Sequence, residues 1–251
     1  AASLKAIDEA MTRIGERIAA GIPGARIALH RPQGLGIVTK VLVEEGGTRI
    51  KIEVTPVSRG CVYEPVTMSV SAFVEAEFGY AETQVVSFAD LYAGKIVAAL
   101  DRQHPRDLFD VRDLLANEGV NDALRAAFVA YMLSHNRPMR EVLSPIRKNI
   151  EGEFVRGFEG MTDAPVDLAE LVTARERIIA IIVGAMPEAH RKFLISFKRG
   201  EADWSLLGLP GVADLPAVRW RQQNLDTLSR EVRAAEVAKL EKVLFGDSHK
   251  G

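Results

Sequence analysis

From Leu4 onward apolar residues recur every third or fourth position, at Leu4, Ile7, Met11, Ile14 and Ile18, which predicts an amphipathic helix capped by Ser3 and ended around Pro23 by Gly21 and Gly24. The period then falls to two. Residues 26–30, 37–45 and 48–55 alternate in the manner of strands, and Gly46-Gly47 joins the last two as a tight hairpin turn, whose central residues need positive φ. In the third strand Ile50, Ile52 and Val54 share one face, while Arg49, Lys51, Glu53 and Thr55 share the other. The sheet therefore has a packed face and a polar face, with Glu53 on the polar one. After a loop over 56–65 come a short extended piece, a helical turn at 73–78 and a strand at 83–86.

The next stretch sets charge among apolar positions. Ser87, with Asp90 three residues on, opens a helix in the manner of a capping box. On that helix Phe88, Leu91, Tyr92, Ala98 and Ala99 share a face with Lys95 in its middle, nearly opposite Asp90, Gly94 and Asp101. Pro105 breaks the helix, and a second begins near Asp107, with Asp107, Val111 and Leu114 on one face and Leu108 and Leu115 flanking it. Beyond Gly119 only helical periodicity is left: 122–134, 139–142, 145–158, 166–185, 188–199 and a long helix over 216–245. The Gly- and Pro-rich loop 200–216 includes Trp204, Leu206, Leu207 and Leu209, which should fasten it to the helices. The expected class is α+β, a mixed sheet with flanking helices over residues 1–119 followed by a helical domain over 120–251.

Composition narrows the setting. With 251 residues, 47% of them apolar and 26% charged, the chain suits a soluble globular protein of one large domain or two modest ones. Its longest apolar run, residues 178–186, is too short to cross a bilayer and follows a charged helical segment, so no membrane role is expected. Cys61 is the one cysteine; it cannot form an internal disulfide and has no base beside it in sequence, so an inert thiol and a cytoplasmic location are expected. A net charge of -2 gives no global pull on nucleic acid, so any RNA contact must come from a local patch. The chain starts at Ala1, and further sequence upstream is expected.

No P-loop, HExxH or CxxC occurs, and the histidines are scattered, which leaves zinc and Walker-type chemistry without support. What stands out is the concentration of Lys95, Arg102, His104, Arg106, Asp107 and Asp110 on two helix ends and one turn, more charge than capping needs. Lys95 either meets a triphosphate or closes an ion pair with Asp107 or Asp110, and spacing leaves both open. Asp107 has two readings as well, an N-cap or a site carboxylate. Glu53 alone cannot hold the metal pair that phosphoryl transfer uses, which needs several carboxylates.

Four stretches, IKIEVTPVSRG (50–60), the Glu64-Pro65 pair, FADLYAGKIVAALDRQHPRDLFDVRDLL (88–115) and HRKFLISFKRGEADWSLLGLPGVADLPAVRW (190–220), resemble the nucleotidyl transferase AbiEii/AbiGii toxin family of the DNA polymerase β-like nucleotidyltransferase superfamily. The most specific piece is the lysine followed by RDLFD. The resemblance implies a nucleotidyltransferase-like fold and a toxin of a toxin–antitoxin or phage-defence system, which transfers a nucleotide from an NTP to RNA, such as tRNA, or to protein. It implies Glu53 as a Mg²⁺ ligand on its strand and Lys95 at the triphosphate. Asp107, with Arg106 and Asp110 beside it, falls in the active-site motif, and Arg102 joins the nucleotide-binding set. A cognate antitoxin is the implied partner. The family's Asp-x-Asp motif should precede the first helix and does not occur in these residues. The 251 residues by themselves are thus expected to be inactive in transfer, and the alternative is a silent nucleotide-, RNA- or antitoxin-binding protein.

Overall fold

The structure, a computed structural model, describes residues 4–55 and 60–246. The Ser3 cap and residues 56–59 of the expected loop lie outside them. Two compact units make up the chain, Ala1–Ser58 and Arg59–Gly251.

In the first unit α1 (Leu4–Gly21) packs on an antiparallel sheet of β1 (Arg26–His30), β2 (Lys40–Glu45) and β3 (Thr48–Glu53), in the order β1-β2-β3. Gly46 and Gly47 have φ of 54° and 83°, the positive values that the two-residue turn demands. Val41 opposes Ile52 and Val43 opposes Ile50. Met11, Val38, Val41 and Val43 form the core, with Ile7, Ile18, Ile27, Ile52 and Val54 against it. Gly15 lets the helix approach closely, because a Cβ there would stand 3.1 Å from Leu29 Cδ2 and 3.3 Å from Ile27 Cγ2. The second strand starts at Lys40 rather than at 37. The Val38 amide is taken by the Asp8 carboxylate of α1 at 2.7 Å instead of by a ladder.

The second unit opens with β4 (Val66–Ser69), α2 (Ala72–Phe78) and β5 (Glu82–Val85), whose strands pair antiparallel. Pairing is antiparallel in both sheets of the described residues, so the mixed sheet is corrected while the α+β class stands. The two-residue Gly46-Gly47 turn allows only antiparallel pairing of β2 with β3, since parallel strands need a crossover. There follow α3 (Phe88–Arg102), α4 (Pro105–Ala116), α5 (Asp122–Leu133), α6 (Met139–Leu143), α7 (Glu151–Gly157), α8 (Leu168–Ile179), α9 (Glu188–Arg199), α10 (Pro216–Asp226) and α11 (Arg230–Phe245). These helices surround one core, in which Leu100, Leu114, Leu124, Phe128, Phe193 and Phe197 are fully buried. Trp204 packs tilted against Phe193 and edge-on against Phe197, with centroids 5.2 and 6.0 Å away, and pins the 200–216 loop as expected.

Four helical expectations are corrected. The helix expected over 145–158 forms only as α7, because Gln103 takes the Ile146 carbonyl and the Lys148 amide before a turn can close. The helix over 166–185 ends as α8 and a π-helical turn at Ala180–Gly184, with the Ala185 amide on the Ala180 carbonyl at 2.9 Å. The long helix over 216–245 is two, because the Ser229 hydroxyl accepts the Val232 amide and starts α11 afresh. On α3 the buried residues are Ala89, Asp90, Ala93, Ile96, Val97, Ala99 and Leu100; of the expected face Ala99 is buried, while Phe88 and Leu91 are exposed and Lys95 is partly exposed. Small residues decide this: Ala89, Ala93 and Gly94 let α5 come close, with the Tyr131 ring only 3.4 Å from where a Cβ of Gly94 would be.

Candidate functional site

The α3–α4 corner is built by three consecutive residues. Gln103 adopts a left-handed conformation, φ 54°, and closes α3; His104 caps α4 by accepting the Arg106 amide at Nδ1, 3.2 Å away; Pro105 is the first helical residue, where a missing N–H is harmless. The helix therefore begins two residues before Asp107, and the capping role expected of Asp107 belongs to His104.

Relieved of capping, Asp107 turns its carboxylate to Arg102. Nε donates to Oδ2 at 3.1 Å and Nη2 to Oδ1 at 2.6 Å, a bidentate fork across the corner. Lys95 Nζ lies 2.5 Å from Asp110 Oδ2, with side chains 32% and 35% exposed. That pair is the ion-pair reading of Lys95, now with its partner fixed. Because α3 buries its opposite face, the lysine faces outward. Arg106 donates through Nε to the Gly157 carbonyl at 3.1 Å. The structure thus pairs Lys95 with Asp110 and Arg102 with Asp107 between α3 and α4, and turns Arg106 to α7.

Glu53 belongs to the first unit. Lys40 and Lys51 each place Nζ 3.0 Å from one of its carboxylate oxygens. Hydrogen bonds from Lys51 and then Lys40 hold its carboxyl below the usual range. A Mg²⁺ pair needs several hard oxygen ligands at close range, and among the described residues no group of three or more Asp, Glu, His or Cys could hold a metal ion. These residues do not fit the two-metal arrangement.

Buried Asp90 fixes the start of α3, and buried Gln103 and Arg175 position the corner at its end, a role the sequence reading did not single out. Asp90 is 1% exposed and accepts the Val62 and Tyr63 amides at 2.7 and 3.0 Å and the Ser87 hydroxyl at 2.7 Å. Burial, with Asp90 alongside, pushes the Tyr131 hydroxyl above its ordinary range. Gln103, also 1% exposed, accepts the Lys148 amide and the Arg175 Nη1 and donates to the Ile146 carbonyl. Arg175 also reaches the Lys148 carbonyl at 3.0 Å, joining α8 to the same point. The signal for Gln103 was its place between a basic helix end and a proline, where a left-handed residue is needed.

The family model described as nucleotidyl transferase AbiEii toxin, type IV TA system, matches residues 1–224. The chain belongs to that family. No curated protein and no solved structure matches it. The AbiEii match runs through both compact units and into α10, and it includes the whole α3–α4 corner. The family is one of nucleotidyltransferase toxins of type IV toxin–antitoxin systems, and such a system supplies an antitoxin partner. No helix of the described residues is long and apolar enough to cross a membrane.

Proposed function

We propose that this AbiEii chain serves nucleotidyl transfer from an NTP to RNA, with tRNA as the first acceptor to test and Mg²⁺ as the metal, and that Lys95 meets the triphosphate. The observation that carries the reading is the outward-facing pair of Lys95 and Asp110 on helices whose apolar faces are buried elsewhere. With each side chain about one-third exposed, the pair is partly screened by water and contributes about 1 kcal/mol to the fold, so a phosphate can replace Asp110 at Lys95 at modest cost. The adjoining Arg102 and Arg106 are anchored by Asp107 and the Gly157 carbonyl and add positive potential beside the incoming phosphates. In phosphoryl transfer the protein contributes mainly position and charge compensation. The described residues offer no carboxylate cluster for Mg²⁺, and both oxygens of Glu53 are held by Lys40 and Lys51, so no step is routed through the metal.

One observation favours a second reading, binding without transfer: no carboxylate group of the described residues is arranged for a metal. One experiment addresses both. The chain is titrated with each NTP and then incubated with Mg²⁺, labelled NTP and bulk tRNA. NTP binding with label transfer supports the enzyme, NTP binding without transfer supports the binding protein, and absence of NTP binding removes Lys95 from both. The preferred NTP is the one whose titration saturates first.

A further inference from the structure

Away from the α3–α4 corner, four cations converge from four helices: Arg140 on α6, Lys198 on α9, Arg221 on α10 and Arg233 on α11. Lys198 is only 8% exposed. Such a lysine normally has a carboxylate at the end of its reach, because an uncompensated buried charge is costly. Among the described residues Lys198 makes no ion pair or hydrogen bond through Nζ, and Arg221 pairs with no carboxylate either. Arg221 spends its Nη atoms on the Asn136 and Arg137 carbonyls at 3.5 and 3.0 Å. The Nε atoms of Arg140, Arg221 and Arg233 are all buried without a hydrogen-bond acceptor.

The anions nearby are already committed. Glu236 lies 2.8 Å from Lys239 and 3.8 Å from Arg140; Asp226 is 3.8 Å from Arg233; Glu141 is 3.2 Å from Arg140. Two positive charges, those of Lys198 and Arg221, are left over. Burial lowers the pKa of Lys198; Glu236 opposes this, while Arg221, Arg140 and Arg233 push further in the same direction. Burial also lowers that of Arg221.

We propose that this cluster is a binding site for a phosphate group. Two uncompensated charges match a phosphate dianion, and its several acceptor oxygens can serve an ammonium and three guanidinium Nε–H donors, whereas a carboxylate has only two oxygens and one charge. The site is independent of the Lys95 reading. It lies on other helices, and Arg233 and Glu236 stand beyond the matched residues 1–224. The phosphate comes either from a small molecule or from an RNA backbone; the chemistry is the same, and the test separates the sources.

The test is thermal melting and calorimetric titration of the full chain with inorganic phosphate or pyrophosphate against chloride at matched ionic strength. A single-stranded RNA oligomer without terminal phosphates is titrated in parallel. The wild type is expected to be stabilised by phosphate. Lys198→Met should melt higher than wild type without ligand, since it removes a buried unpaired charge, and should bind phosphate ~10-fold or more weakly. Arg221→Gln supplies the same readout should Lys198→Met fail to fold, and the loss should persist when each variant is combined with Lys95→Met, which takes the α3–α4 corner out of the titration. Loss of RNA and phosphate binding together in the cluster variants assigns the site to RNA backbone; loss of phosphate binding alone assigns it to a small phosphate ligand. The proposal is overturned if phosphate stabilises no more than chloride or the cluster variants bind it as wild type does. It is overturned equally if a glutamate-rich peptide, and not phosphate, depends on Lys198.

Discussion

At the scale of single residues, a buried charge holds the fold when the protein supplies its partners, as it does for Asp90. Asp90 accepts two main-chain amides and a hydroxyl inside the protein, so its loss strands buried donors. Asp90→Ala is expected to lower unfolding free energy by about 3 kcal/mol, measured by urea denaturation, and a change under about 1 kcal/mol would contradict the role given to it. His190 has a buried Nδ1 with no acceptor or donor opposite it. Burial first, then Arg125, lower its pKa, with Asp122 opposing. The folded state therefore prefers the neutral ring: the contribution to stability is complete above the unfolded pKa near 6.5 and is lost as pH falls through the lower folded value. Melting temperatures taken from pH 8 down to about pH 5 should fall more steeply for wild type than for His190→Gln. Parallel curves would show that another group governs the slope.

At the scale of elements, much of the architecture was legible because it rests on local chemistry. The Gly46-Gly47 hairpin, the Ser87 cap and the Trp204 anchor follow from turn geometry, an orphan amide and a large apolar surface, each encoded within a few residues. The face of α3 was not legible in this way. Its buried stripe is made of alanines, which carry little hydrophobic signal, and its buried Asp90 reads as polar until the 62–63 amides are in place. Lys95 and Asp110 were readable as candidates, but their pairing, and that of Arg102 with Asp107, needed the corner set by Gln103. That corner can be tested directly. Gln103→Ala keeps a left-handed position without its three side-chain hydrogen bonds and is expected to destabilise by about 2 kcal/mol; Gln103→Gly relaxes the backbone but loses the same bonds, so it should not restore full stability. Full stability in either variant, by chemical denaturation, would mean that the 146–148 segment is held by other contacts.

At the scale of the molecule, AbiEii membership supplies a reaction class, and the pair on α3 and α4 is the place proposed for its charged substrate. A net charge of -2 means that attraction for a triphosphate or RNA is local, from the α3–α4 corner and from the cluster around Lys198, and binding at either should weaken as salt rises. The central claim is that Lys95 serves the ligand rather than the fold, and nucleotide titration of Lys95→Met, paired with its melting curve, tests it most directly. The account predicts NTP affinity reduced ~10-fold or more with a change in stability of about 1 kcal/mol or less. Unchanged NTP affinity together with a large loss of stability would contradict it.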